Sequence, residues 1–149
     1  MIEDVQDKRT AALKATLELI SEQGFHGTPM SQIAQRANIG VGTIYRYFDN
    51  KEDLINALYL ELKTRMVRSL IQSYSENLTV QEGFHQFLTA TIHYLIEHPA
   101  ELSFAEQYEN SPLITATSRE EASKIANPIQ KLFERAIQQN LLKELPVEM

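Results

Sequence analysis

N-I-G-V-G-T-I-Y-R-Y-F-D-N-K, running from Asn38 to Lys51, crowds three aromatics, two glycines and two cations into a short span of an acidic chain. As a helix from about Val41 to Phe48, it has two dissimilar sides. Ile44 and Phe48, four apart, face one way with Val41 beside them and form a buried side. Gly42, Thr43 and Arg46 lie opposite, flanked by Tyr45 and Tyr47. A small residue near the N-terminus, hydroxyls, a guanidinium and two apolar anchors are what a recognition helix in a DNA groove requires. Lys51, opening the next helix, can reach a phosphate.

The flanking sequence builds a support for that helix. Ala12, Leu13, Thr16, Leu17 and Ile20 fall at three- and four-residue spacing and predict an amphipathic first helix. Gly24 ends it in the left-handed conformation, with Phe25 packing back. Thr28-Pro29 reads as an N-cap followed by proline at the first helical position. A short helix through Ile33, Ala34 and Ala37 follows, broken by Asn38-Ile39-Gly40. Two short helices joined by a glycine-containing turn and braced by a third form a helix-turn-helix.

Charge supports the same surface. The chain has 149 residues and a net charge of −6, which by itself argues against a nucleic-acid partner. Yet none of its 20 carboxylates falls between Glu22 and Asp49, where even spreading would place about three. Arg36 and Arg46 lie in that window. Chance clustering in a small polar region is the bland alternative.

Beyond Lys51 the pattern remains helical. Asp49 or Asn50 caps a fourth helix carrying Leu54, Ile55, Leu58, Leu62, Met66, Leu70 and Ile71 to about Tyr74, roughly 35 Å of helix and longer than a small head is wide. Phe84, Phe87, Leu88, Ile92 and Leu95 form another stripe, which Pro99 terminates. Leu102, Phe104, Ala105 and Tyr108 predict a shorter helix. Asn127-Pro128 reads as the restart of a helix through Ile129, Leu132, Phe133, Ala136 and Ile137, closed by Asn140. No strand shows convincing alternation, so the fold class is all-α.

Other chemistries find little support. Cysteine is absent, which excludes disulfides and thiolate metal sites and suits a reducing cytoplasm. No apolar run approaches a membrane span. Gly40-Val41-Gly42 begins a dinucleotide fingerprint, but Tyr45 occupies the third glycine position and no strand precedes it. His85, His93 and His98 lack the four-residue spacing of a helical metal pair. No nucleophile, base and orienter stand together. The expectation is a protein with no catalytic residues, metal or cofactor. A protein-binding face remains an alternative for Tyr45-Arg46-Tyr47, since both residue types anchor interfaces; the chain would then be a helical adaptor.

The residues Gly24-Phe25, Thr28, Ile33-Ala34, Ala37, Gly42-Thr43, Ile44-Tyr45, Phe48 and Lys51-Glu52 through Leu54 closely resemble the N-terminal domain of TetR-family transcriptional regulators. The resemblance implies a helix-turn-helix DNA-binding domain over 1–50 and a helical effector-binding and dimerisation domain over 51–149, joined by the long fourth helix. It implies a cytoplasmic homodimer that binds roughly palindromic double-stranded operator DNA and a small-molecule effector, with no membrane partner. By that resemblance Gly42, Thr43, Tyr45 and Arg46 face the major groove, and Thr28, Ser31, Tyr47 and Lys51 meet phosphates. Together with the aromatic surface of the second half, it implies one mostly apolar effector pocket bounded by Met66, Leu70, Phe84, Phe87, Tyr94, Phe104, Tyr108 and Phe133. A repressor released by that effector is the expected function. Family members generally continue with two more helices at the dimer interface. Leu145-Pro146-Val147-Glu148-Met149 resembles the opening turn of one, so the reading is either a chain that natively extends past Met149 or a different dimer surface.

Overall fold

The computed structural model describes residues 2–75 and 77–141, with side chains described from residue 8 onward. Seven helices follow one another among the described residues: α1 (Ile2–Gln23), α2 (Met30–Ala37), α3 (Val41–Tyr47), α4 (Lys51–Gln72), α5 (Val80–Glu97), α6 (Pro99–Glu109) and α7 (Ala116–Gln138). No helix among the described residues is long and apolar enough to cross a membrane. The helix anticipated from Leu145 lies outside the described residues.

Local signals set most of the boundaries. Gly24 closes α1 with φ +75° and its N–H donates to the Ile20 carbonyl at 2.8 Å. Asn38 ends α2 at φ 56°, and the Ile39 and Asn38 N–H groups reach back to Ala34 and Gln35. That pairing satisfies carbonyls the helix end would otherwise strand. Asn50 caps α4, its Oδ1 accepting from the Asp53 N–H at 2.8 Å. Thr79 and Glu82 form a reciprocal capping box on α5.

Three expectations need correction. The cap of α2 is Pro29, not Thr28, and Met30 is its first helical residue. Thr28 has instead turned inward, with no exposed surface, and its hydroxyl donates to the Gly24 carbonyl at 2.8 Å. Pro128 does not restart a helix, because α7 runs through it from a Thr115 cap. Proline removes one N–H donor from a helix interior; burial of Ala122 on one side of it and Leu132 and Ala136 on the other holds α7 continuous. On α5, Leu88 and Ile92 of the apolar stripe are exposed, while Gly83, Phe87 and Tyr94 are buried.

Two apolar cores result. The larger joins α1, α2, α3 and the first half of α4 with Phe104 and Tyr108 of α6. Phe25 meets the Phe104 ring edge-on at 5.7 Å, so the turn after α1 packs back onto α6. The smaller core sits at the far end of α4, where Leu70, Phe87 and Leu132 meet. The two ends of α4 therefore lie in different surroundings.

Candidate nucleic-acid interface and effector clefts

Helix α3 is held from one side and open on the other. Ile44 is fully buried and Phe48, just past the helix end, is 5% exposed. Arg9 of α1 braces that anchor, its guanidinium 5.5 Å from the Phe48 ring centre; this contact has no sequence signal beyond a cation on α1. Opposite, Gly42 and Arg46 are exposed and Tyr45 is 48% exposed, with Thr43 half-buried. Val41, grouped with the anchors in the sequence, is 40% exposed.

Gly42 has no internal reason to be glycine. Its φ is not positive, and a Cβ built on it meets nothing within 4 Å. The residue keeps the surface of α3 low where a partner would approach. Gly27 is the contrast, since a Cβ there would lie 2.7 Å from the Gln23 carbonyl oxygen. That glycine is needed by the turn itself.

The charges sort into two kinds. Arg46 has no ion-pair partner among the described residues. Arg36 is engaged by α1: its two guanidinium nitrogens meet the Glu22 carboxylate at 3.1 and 2.9 Å, and Glu18 adds a contact at 3.4 Å. The hydrogen bond from Arg36 holds the Glu22 carboxyl below its ordinary value. Arg36 ties α2 to α1 rather than adding free positive charge. Lys51 donates from Nζ to the Phe25 carbonyl, and burial lowers its pKa. An ammonium has three donors, so protons remain for a phosphate.

Of the residues expected at phosphates, Ser31 is exposed in the first turn of α2, and Tyr47 and Lys51 are half-buried beside the open face. Thr28 is placed differently. Its hydroxyl is buried and already donating inside the turn, because the Gly24 carbonyl needs a partner there.

The single effector pocket expected from the aromatics resolves into two clefts. Met66, Tyr94 and Phe104 line one of about 90 Å³ between α4, α5 and α6, with Lys63, Glu101 and Glu109 also on its walls. There the Tyr94 hydroxyl donates to Glu101 Oε2 at 2.7 Å, and Arg65 meets the other oxygen at 3.3 Å. Burial, then the Glu101 carboxylate, push the Tyr94 phenol well above its ordinary value. Leu70 and Phe87 line the second cleft, about 220 Å³ between α4, α5 and α7. Phe133 meets the Phe84 and Phe87 rings edge-on at 5.2 and 5.8 Å, beside that cleft. Tyr108 borders neither; it is fully buried and stacks on Tyr59 at 4.2 Å. Among the described residues, no group of three or more His, Cys, Asp or Glu could hold a metal ion.

Comparison with known families places this architecture. The model for bacterial regulatory proteins of the tetR family matches residues 12–58, and that for the tetracyclin repressor-like C-terminal domain matches residues 79–149. The chain belongs to the TetR family of transcriptional regulators.

Its relatives extend over both halves. An HTH-type transcriptional regulator, YhgD of Bacillus subtilis, is 25% identical over 135 residues, covering 91% of this chain and 70% of its own length. The crystal structure of a TetR-family transcription regulator from Shewanella sp. PV-4 superposes with a TM-score of 0.85 at 29% identity, covering 95% of this chain and 76% of that one. The fatty acid degradation regulator FadR of Bacillus halodurans has a TM-score of 0.75 at 27% identity, covering 91% and 71%. Several other curated relatives are matched over only 30–52% of their own length.

Within this TetR-family chain, a polar knot links α4 to the helices around the clefts. Asn56, buried one turn past Lys51, donates through Nδ2 to the Glu52 and Leu113 carbonyls, each at 2.9 Å. Its Oδ1 accepts from the Tyr108 hydroxyl at 2.5 Å and the Thr115 N–H at 3.4 Å. Sequence reasoning missed it. A single Asn beside the Leu54-Ile55-Leu58 stripe was the available signal.

Proposed function

We propose that this chain is a ligand-responsive repressor, acting as a homodimer on a roughly palindromic operator and released by a small, mostly apolar effector. The observation that carries the DNA reading is the face of α3: an exposed glycine without an internal role beside an exposed arginine that has no ion pair among the described residues, on a helix anchored by Ile44 and Phe48. In this reading Gly42, Thr43, Tyr45 and Arg46 meet base edges, while Ser31, Tyr47 and Lys51 meet the backbone. One short helix spans too few base pairs for specificity, so two copies related by a two-fold axis read two half-sites. Apolar clefts along α4 support an effector, and the name of the Bacillus halodurans relative makes acyl-chain compounds a candidate class.

Selection from a random pool of duplexes tests the DNA reading. Enriched sequences with two inverted half-sites about one helical turn apart are expected, with affinity falling steeply as salt rises. A pool that yields no enriched sequence overturns it.

A further inference from the structure

The α4–α5–α7 cleft has a charge pattern that an apolar effector alone does not use. On α7, Pro128, Lys131, Leu132 and Arg135 stand at the spacing of one helix face, and all four line the cleft. Leu70, Phe87 and Leu132 form a buried floor. Lys131 and Arg135 are exposed beside it, and neither has an ion pair among the described residues. Among the described residues no carboxylate lines this cleft, whereas Glu101 and Glu109 line its neighbour. The acidic residues of α7 are otherwise occupied: Glu120 and Glu121 pair with Lys124, and Glu134 accepts from Gln130 at 3.2 Å. In a chain of net charge −6, two cations with no ion pair among the described residues, set over an apolar floor, are a specific feature.

We propose that this cleft binds a small amphipathic anion, an aliphatic carboxylate whose chain lies on Leu70, Phe87 and Leu132 and whose head is held by Lys131 and Arg135. The proposal rests on the effector reading above and narrows its chemistry. Arg135 supplies the planar fork that matches a carboxylate, and Lys131 a second, point charge. The volume, about 220 Å³, lies below the range usual for drug-sized ligands, which favours a chain of modest length over a bulky ring system. A neutral alcohol would gain the apolar contacts but not the charge-assisted hydrogen bonds. An ammonium head would face two like charges.

Calorimetric titration of the full chain with octanoate, octanol and octylammonium tests this. Octanoate should bind about tenfold or more tightly than octanol, and octylammonium should bind more weakly than either. Lys131→Gln combined with Arg135→Gln should reduce octanoate affinity to that of octanol. Both side chains are exposed, so the unfolding midpoint of the unliganded variant should match wild type. Octanol binding as tightly as octanoate, or the double variant retaining octanoate affinity, would overturn the proposal. A chain that selects an operator but ignores octanoate sinks the anion site alone. A chain that binds octanoate as described but selects no duplex removes the regulatory reading and keeps the site.

Discussion

Two arginines in one carboxylate-free window of sequence have opposite fates, and the difference is testable residue by residue. Arg46 has no ion-pair partner among the described residues, while Arg36 is clamped by Glu22 and Glu18. Arg46→Ala should weaken specific binding by about 1–3 kcal/mol and relax preference at one base position. Arg36→Ala should leave base preference unchanged, because its guanidinium braces α2 against α1. Equal effects on selected-operator affinity would reverse that assignment. Lys51→Ala should weaken all duplexes nearly equally and lower the salt slope by about one; an unchanged slope would show that its remaining donors reach no phosphate. Thr28 is the control. Thr28→Val keeps the buried shape and removes the bond to Gly24, so stability should fall by about 1 kcal/mol in urea unfolding while the salt slope stays at its wild-type value. A lower slope would place Thr28 at a phosphate after all.

Among the elements, α4 carries the connection between the two ends of the chain, and Asn56 is where it is tied to α6 and to the residues before α7. Asn56→Ala would strand the Leu113 carbonyl, the Tyr108 hydroxyl and the Thr115 N–H. At roughly 1–3 kcal/mol for a buried unsatisfied group, the loss should be on the order of 3 kcal/mol, against about 1 kcal/mol for Tyr108→Phe. Chemical denaturation of both variants checks this, and an Asn56→Ala loss no larger than that of Tyr108→Phe would dismiss the knot as a structural tie. The head was legible in the sequence because its signals are local: Gly24, Asn38, Asn50 and the Ile44–Phe48 spacing each act within a few residues. The knot and the clefts were not, because they depend on which helices meet. Phe104 and Tyr108 are spaced as residues of the second half, yet they complete the core around α1. No local pattern names that partner. Pro128 misled for the same reason, since a local break signal was outweighed by burial on both sides of it.

At the scale of the whole molecule, α4 runs from Lys51, beside the proposed DNA-reading face, to Leu70, in the floor of the α7 cleft. At about 1.5 Å per residue it is roughly 33 Å long, so a modest tilt at the cleft end displaces the head by much more than the local shift. In the proposed dimer on a two-fold site, that displacement would change the spacing of the two α3 helices, which has to match the half-site spacing of the operator. Asn56 ties the first turns of α4 to α6 and to the Leu113–Thr115 segment. A ligand can move such an equilibrium only by its own preference between the two tilts. That bound makes the mechanism reciprocal: a ligand that lowers operator affinity by some factor must itself bind more weakly, by the same factor, when operator is present. The expected factor is about 5–150. It can be measured by titrating an effector identified through operator release, with and without a saturating operator duplex, at one fixed salt concentration. Weaker binding in the presence of operator, matching the loss of DNA affinity caused by the effector, would show that the two sites share one coupling free energy. Equal effector affinities in the two titrations would rule out that coupling, whatever the effector's own affinity.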